Sequence, residues 1–350
     1  ISVEQVSQGE VNIDVKLKLD NFTSPQKTQI AHVQPSPEKL KFKGSSRPLD
    51  GYLLNISRVN DYCEPKSYEK EAFKEYRIQS CLDFLSQNES EYMYKPKNSS
   101  FTYKGDPMIF HVYWRGKLTD KISLMIKSFL YTQPLDSSVL NVWMDSNDED
   151  LSENSYILPL LKFSPQFIQF RKWNVTEQLS YDPIYKGWEK SMKKHHGKIT
   201  TVGYSDMVRF VLLNRYGGLY VDADVLLLRD MRPLYHLNYE WSYRWSEWFD
   251  YNTAVLRIWK NSTTSRTIIA AAMKNKMNFH PTIIKNYLAK KKKKISKSDI
   301  NGKLYMMSVT MFDPLWLKSD LLLKDQVMVP NLCRFKDVFK GELLKDEFPG

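Results

Sequence analysis

Hydrophobic positions are spread unevenly along this chain, and their spacing divides it. Residues 1–50 are mostly polar and carry Pro25, Pro35, Pro37 and Pro48, so they read as a stem or linker with a few local strands in Val11 to Leu19. Between Ser67 and Leu85, apolar side chains recur at Ala72, Phe73, Tyr76, Ile78, Leu82, Phe84 and Leu85, which predicts a helix. Cys63 flanks it and Cys81 lies within it. The stretch 51–107 is therefore expected to form a helical extension packed on a main domain of residues 108–350.

The main domain opens with an apolar run, Met108 to Trp114, that reads as a buried strand broken by Gly116. Asp120 is placed to cap a helix carrying Ile122, Leu124, Met125, Ile126, Phe129 and Leu130, which ends before Pro134. Val139 to Met144 follows as a second strand closing on Asp145, and Phe167 to Trp173 as a third. Strand, helix and strand at this spacing form a βαβ unit with parallel strands and a right-handed crossover. Open α/β sheets hold ligands at the carboxyl ends of their strands, where His111, Trp114 and Asp145 fall.

The most informative segment is SDMVRFVLLNRYGGLYVDADVLLLRDMRPL, Ser205 to Leu234. Ser205 is expected as the N-cap of an apolar helix, and Gly217-Gly218 as its left-handed stop. Leu219 to Val221 then runs as a short strand into Asp222-Ala223-Asp224, and a second apolar run, Val225 to Leu228, follows. Side chains alternate along an extended chain, so Asp222 and Asp224 are expected to point the same way.

Composition narrows the classes. The chain has 350 residues, 42% hydrophobic and 13% aromatic, enough for a packed core. No apolar run approaches the roughly 18–20 residues that cross a bilayer. The start at Ile1 is read as a truncation that removes a targeting or anchoring segment, so any membrane attachment is expected through an absent N-terminal anchor. The formal charge is 51 − 40 = +11, with much of the excess in Lys290 to Lys294 and Lys297. That run lacks the interleaved aromatics of a single-strand binding surface and reads as a solvated loop, so nucleic acid is not expected as a partner. His195-His196 reads as exposed loop.

Six Asn-X-Ser/Thr sequons, at Asn21, Asn55, Asn88, Asn98, Asn174 and Asn261, suggest a glycosylated protein of the Golgi or secretory-pathway lumen. Three cysteines fit one disulfide and a spare thiol. Of the three possible pairings, Cys63 with Cys81 is the nearest in sequence and the one expected, leaving Cys333.

Two carboxylates at the end of a buried strand are costly without compensating positive charge. Mg²⁺ or Mn²⁺ supplies it, prefers oxygen ligands, and leaves positions for substrate phosphates. An isolated Asp-X-Asp is a weak signal, as Asp148-Glu149-Asp150 shows in a polar stretch. Its context here, between a Tyr-Gly-Gly stop and two apolar runs, makes it strong.

This segment resembles the Asp-X-Asp sugar-binding region of glycosyltransferase family 32, which includes fungal Golgi mannosyltransferases and animal α1,4-galactosyltransferases. It is similar, more distantly, to the catalytic domain of the large clostridial glucosylating toxins. The resemblance covers residues 108–340 and is densest from Ser205 to Leu234. It implies a GT-A type, Rossmann-like α/β fold with a mixed sheet. It implies a retaining hexosyltransferase with Mn²⁺ (or Mg²⁺) and a nucleotide-sugar donor, GDP-mannose or UDP-hexose, acting on a glycan or glycolipid acceptor. On the matching positions, Asp222 and Asp224 are metal ligands, and Asp206 and Arg209 hold hydroxyls of the donor sugar. Gly217 and Gly218 match the turn that lets backbone approach the ligand. His111 and Trp114 match a His-X-X-Trp strand near the nucleotide, and Tyr251 to Leu256, with Asn252, the segment lining the acceptor side. A fungal, type II membrane protein follows from the same resemblance. The family's later Gly-Pro motif has no clear match; Asp313-Pro314-Leu315-Trp316 is the nearest.

Blander roles stand beside these. Asp206 and Arg209 form an i, i+3 pair that a surface helix would also show. Trp114 serves equally as core or as a base-stacking ring, and Trp241, Trp245, Trp248 and Trp259 as core and lid or as a sugar platform. At the level of the molecule, the alternative to an enzyme is a non-catalytic luminal carbohydrate-binding protein on a transferase fold. A glycoside hydrolase is excluded by geometry, because neighbouring Asp222 and Asp224 cannot flank a sugar from opposite faces.

Overall fold

The computed structural model describes residues 51–63, 75–87, 89–95, 107–145, 150–194, 201–245, 250–289 and 304–313. The stem 1–50, His195-His196, Trp248, the Lys290 to Lys294 run, Pro314 to Trp316 and Cys333 lie outside them. Among the described residues, no helix is long and apolar enough to cross a membrane.

The N-terminal part has its own two-stranded sheet and packs on the later elements, with Asn60 donating to the Tyr305 hydroxyl and Ser308 to the Cys63 carbonyl. Strand β1 (Leu53–Leu54) leads into helix α1 (Ile56–Cys63), helix α2 (Glu75–Ser86) follows, and strand β2 (Met93–Tyr94) returns antiparallel to β1. The Cys63–Cys81 disulfide joins the helices with Cα atoms 4.6 Å apart. A small core of Leu54, Val59, Phe84, Tyr92 and Met93 surrounds it. The described helix starts at Glu75, and the earlier part of the stretch expected from Ser67 falls outside the described residues.

The main domain is built on a seven-stranded mixed sheet. Strand β3 (Met108–Trp114), helix α3 (Asp120–Thr132) and strand β4 (Ser138–Met144) form the expected βαβ unit, in register from Met108 opposite Ser138 to Trp114 opposite Met144. The cap of α3 differs from expectation. Thr119 is the N-cap without a side-chain bond, and Asp120 is the first helical residue, its carboxylate accepting from the Lys121 N–H. Strand β5 (Ile168–Lys172) adds parallel to β4.

Two short helices, α4 (Val175–Ser180) and α5 (Trp188–Lys194), lead to helix α6 (Thr201–Tyr216) and strand β6 (Gly218–Val221), which inserts parallel to β3 on the side opposite β4. Helix α6 starts at Thr201, one turn before the expected Ser205 cap, so Ser205 lies inside it. Gly203 in that first turn weakens the helical signal, and Ser205 next to an apolar run looks like a start. After α7 (Arg232–Tyr235), strands β7 (Trp241–Arg244) and β8 (Tyr251–Ile258) run antiparallel to each other, with β8 antiparallel to β6. Helices α8 (Thr263–Lys274) and α9 (Pro281–Ala289) follow, and β9 (Tyr305–Met307) closes the edge parallel to β7. The order is β5-β4-β3-β6-β8-β7-β9.

Alternation along the strands fills two cores. Phe110, Val112, Leu219, Val221 and Val255 pack with α3 on one face. Tyr113, Trp143, Tyr220, Leu256 and Ile258 pack with α6, α8 and α9 on the other. From Asp206 to Asn214 every residue of α6 is buried, because the helix lies between the sheet and α8. Sequence order reverses at the β3–β6 junction: β4 and β5 lie to one side of β3 and the later strands to the other. Such a reversal opens a crevice beyond the carboxyl ends of the two strands.

Candidate active site

Helix α6 and strand β6 run antiparallel around the Gly217 turn, and this hairpin sets the site. From Tyr216 back to Asp206 the helix covers about 15 Å at its rise of ~1.5 Å per residue. From Gly217 forward to Asp222 the strand covers about 17 Å at ~3.3 Å per residue. Asp206 and Asp222 are thereby brought level at the mouth of the β3–β6 crevice.

Arg209 joins them. Its Nη2 lies 3.2 Å from Asp206 Oδ1 and 3.2 Å from Asp222 Oδ1. Its Nη1 donates to Thr253 Oγ1 on β8 (2.7 Å), and its guanidinium lies 5.2 Å from the centre of the Tyr220 ring. The i, i+3 pair is no surface feature: Asp206 is 2% and Arg209 5% exposed, and Thr253 is fully buried. Asp206 Oδ2 and Arg209 Nε are buried without a hydrogen-bond partner. One planar cation thus holds two carboxylates and a hydroxyl from three elements, and its rigid fork suits that task.

The acidic pair departs from the extended geometry expected of it. Strand β6 ends at Val221, and the Val225 N–H donates to the Asp222 carbonyl (3.1 Å), so Asp222 to Val225 is a turn. Asp222 stays anchored by its N–H to the Ala254 carbonyl (2.7 Å) and keeps 23% of its side chain exposed, while Asp224 is exposed. Ala223 packs against the α3-side core. The expected second apolar run is not a strand. Ser128 Oγ of α3 accepts from the Leu227 N–H (3.1 Å), and Gln133, the C-cap of α3, donates to the Arg229 carbonyl (2.9 Å) and accepts from the Met231 N–H (3.0 Å). Leu227 is buried by this docking, whereas Leu226 and Leu228 are left 38% and 78% exposed.

Electrostatically the mouth is acidic. Burial pushes the Asp222 carboxyl up to about 6, with Asp224 reinforcing the shift and Arg209 opposing it. Burial likewise raises Asp206 against the pull of Arg209. Tyr243 on β7 is raised by burial and then by Asp313, Asp222 and Asp224. Phe312 stacks on Tyr243 with ring centres 4.9 Å apart. Among the described residues, Asp206, Asp222 and Asp224 outnumber the Arg209 guanidinium they act on. A divalent cation that prefers oxygen donors would fit this set through Asp222 and Asp224. Among the described residues no three His, Cys, Asp or Glu side chains gather into a metal cage.

The remaining expected site residues have other partners. His111 is 1% exposed; its Nδ1 accepts from Trp143 Nε1 (3.1 Å) and its Nε2–H donates to the Gly217 carbonyl (3.0 Å). Burial lowers its pKa to about 3, so the ring is neutral and supports the α6–β6 turn from beneath instead of meeting a nucleotide. Gly217 and Gly218 have φ of 71° and 102°, at the end of β6 remote from Asp222. A Cβ on Gly217 would come within 2.8 Å of the Lys260 nitrogen, and one on Gly218 would strike the Ile109 carbonyl. The glycines therefore admit neighbouring protein backbone rather than a ligand. Trp114 ends β3 at the crevice, half-buried, its indole N–H donating to the Lys117 carbonyl (2.9 Å). Beside it, Asp145 accepts from the Tyr113 hydroxyl (2.9 Å) and lies 3.5 Å from Arg115. Asn252 is spent on β8, where Oδ1 accepts from the Ala254 N–H (2.9 Å). Trp241 is fully buried core, and Trp245 lies beside His280. The sequence reading gave Thr253 only as part of the segment Tyr251 to Leu256 and missed Tyr220 and Tyr243, whose neighbours in the site come from other elements. No spacing rule points to them.

Two family models match the chain. That of the glycosyltransferase sugar-binding region containing the DXD motif matches residues 67–241, and that of the capsular polysaccharide synthesis proteins matches residues 189–309. No curated protein matches. Among solved structures, the chain is similar to the PaToxG glycosyltransferase at 17% identity, over 69% of this chain and 82% of that one, with a TM-score of 0.35. It is also similar to the UDP-bound glycosyltransferase domain from the YGT toxin at 11% identity, over 63% of this chain and 77% of that one, with a TM-score of 0.34.

Proposed function

The chain belongs to the glycosyltransferases whose sugar-binding region contains the DXD motif, its mixed α/β sheet is of the GT-A type, and on that premise we propose a metal-dependent, retaining hexosyltransferase. It moves a hexose from a nucleoside diphosphate to a hydroxyl of a glycan or glycolipid acceptor. The observation that carries the reading is the Asp206–Arg209–Asp222 link, buried and half-satisfied, two residues before an exposed Asp224.

Each residue has a task that follows from its surroundings. Asp222 and Asp224 would hold Mn²⁺ or Mg²⁺, which when bound neutralises charge on the departing diphosphate. The Thr253 hydroxyl and the Asp206 carboxylate fix the Arg209 fork, which in turn holds Asp222 through its Oδ1. Asp206 and Arg209 would position hydroxyls of the donor sugar, Asp206 Oδ2 and Arg209 Nε being an acceptor and a donor without a hydrogen-bond partner among the described residues. Such prepositioned groups lower the barrier because they need not reorganise during the reaction. No carboxylate nucleophile is invoked: attack from the leaving-group face lets a phosphate oxygen take the acceptor's proton.

Chelation tests the proposal. Donor-sugar turnover is expected to vanish on exhaustive chelation and to return with Mn²⁺. Turnover indifferent to chelation, or undiminished in Asp222→Ala, would defeat it.

A further inference from the structure

We propose that Asn174 and Asn261 carry N-linked glycans, which makes the described domain a secretory-pathway protein independently of its catalysis. Three sequon asparagines lie among the described residues, and each engages its side-chain oxygen within the fold. Asn174 is the N-cap of α4, its Oδ1 accepting from the Glu177 N–H (3.2 Å). Asn261 precedes α8 in the left-handed region at φ 52°, its Oδ1 accepting from Arg266 Nη1 (2.8 Å). Asn55 accepts from the Arg58 N–H (3.3 Å) at the start of α1, but it is half-buried and is left out of the proposal.

Capping consumes only the acceptor oxygen of an asparagine. Glycosylation uses the other end of the amide, and a glycosylated amide keeps its carbonyl. Cap and glycan are therefore compatible on one residue. Asn174 and Asn261 are both exposed, and so are the hydroxyl residues that complete their sequons, Thr176 and Thr263. Asn261 also sits against the C-terminal end of α6, its N–H donating to the Asn214 carbonyl (2.8 Å). That is about 12 Å along the helix from Asp206, so a glycan there leaves the crevice open. A second, separate observation points to the same compartment. The Cys63–Cys81 disulfide is buried, Cys81 fully, and such bonds persist in oxidising surroundings.

In the reaction, asparagine Nδ2 bonds to the anomeric carbon of a lipid-diphosphate-linked oligosaccharide. The amide nitrogen loses one proton, the glycosyl–phosphate bond breaks, and the lipid diphosphate leaves with the bonding pair.

The test is to secrete the full chain from eukaryotic cells and release N-glycans with peptide N-glycosidase in heavy-oxygen water. The Asn174 and Asn261 peptides are expected to return as labelled aspartate. Thr176→Ala should erase the label at Asn174 alone, and Thr176→Ser should keep it. Asn174→Asp removes the acceptor but retains a capping oxygen, so it should lose the glycan without loss of thermal stability. Asp222→Asn, inactive under the functional reading, should carry both glycans. Either peptide recovered unlabelled from secreted, disulfide-bonded protein overturns the assignment.

Discussion

Arg209 decides the chemistry of the site because it is buried among acids. Its guanidinium is stabilised by Asp222, Asp206 and Asp224, which outweigh its desolvation and raise its pKa. Replacing it strands two carboxylates, a loss typically of about 3–5 kcal/mol, so the informative change is a gentler one. Thr253→Val keeps the shape but deprives Nη1 of its acceptor. We expect a stability loss of about 1–3 kcal/mol in urea unfolding, together with weaker donor binding as the fork loosens. Asp222 gives a pH test with a definite sign. Its carboxyl lies at about 6 in the folded chain, above its ordinary 3.8. The fold therefore holds a proton that the unfolded chain releases, and this group's contribution to stability declines as pH rises from about 4 through 6. Asp222→Asn cannot ionise. In metal-free protein the variant should gain on the parent across that window and level off above it. A stability difference that stays flat from pH 4 to 7 would show that the carboxyl titrates normally.

At the scale of elements, the α6–β6 hairpin depends on two glycines. Gly218→Ala forces a side chain into φ 102° and against the Ile109 carbonyl. The strain alone costs about 1–2 kcal/mol, and the clash must displace β6 from β3. The variant should melt well below the parent, even though Gly218 is remote from Asp222; unchanged melting would mean that β6 shifts freely. This hairpin was legible in the sequence, because apolar runs punctuated by Gly-Gly leave few alternatives. The βαβ unit was legible for the same reason, and so was the Cys63–Cys81 pairing. Strands β7 and β8 were not identified. Trp241 to Arg244 is buried on both faces, as is the second half of Tyr251 to Ile258, and Arg244, Thr253 and Arg257 lie inside, so neither alternation nor an unbroken apolar run marks them. The turn at Asp222 to Val225 was missed because strand periodicity was extended one step past Val221. The tie of Leu227 to Ser128 that redirects the chain spans 99 residues. The surroundings of His111 were not legible for a related reason: it sits midway along an apolar strand, and only packing shows Trp143 and Gly217 taking both ring nitrogens.

For the molecule as a whole, the net charge of +11 hides an acidic crevice mouth, and that contrast predicts how ligands bind. Asp222 and Asp224 lie there, with Arg209 tied to Asp222 and to the buried Asp206. A nucleoside diphosphate brings further negative charge, so alone it meets repulsion. A divalent cation alone gains two carboxylates and still needs oxygens to complete its shell. Each therefore supplies what the other lacks, and binding of the two should be strongly cooperative, by equal factors in either order. Thermal unfolding gives the test, since a ligand at about 100-fold its dissociation constant stabilises by about 2.7 kcal/mol. Mn²⁺ alone and the diphosphate alone should each give a small shift, and the two together one larger than their sum. Asp222→Asn should abolish the excess while leaving the separate shifts small. Running GDP and UDP in parallel assigns the base by whichever retains the excess. Purely additive shifts for both nucleotides would remove the metal bridge from the donor site.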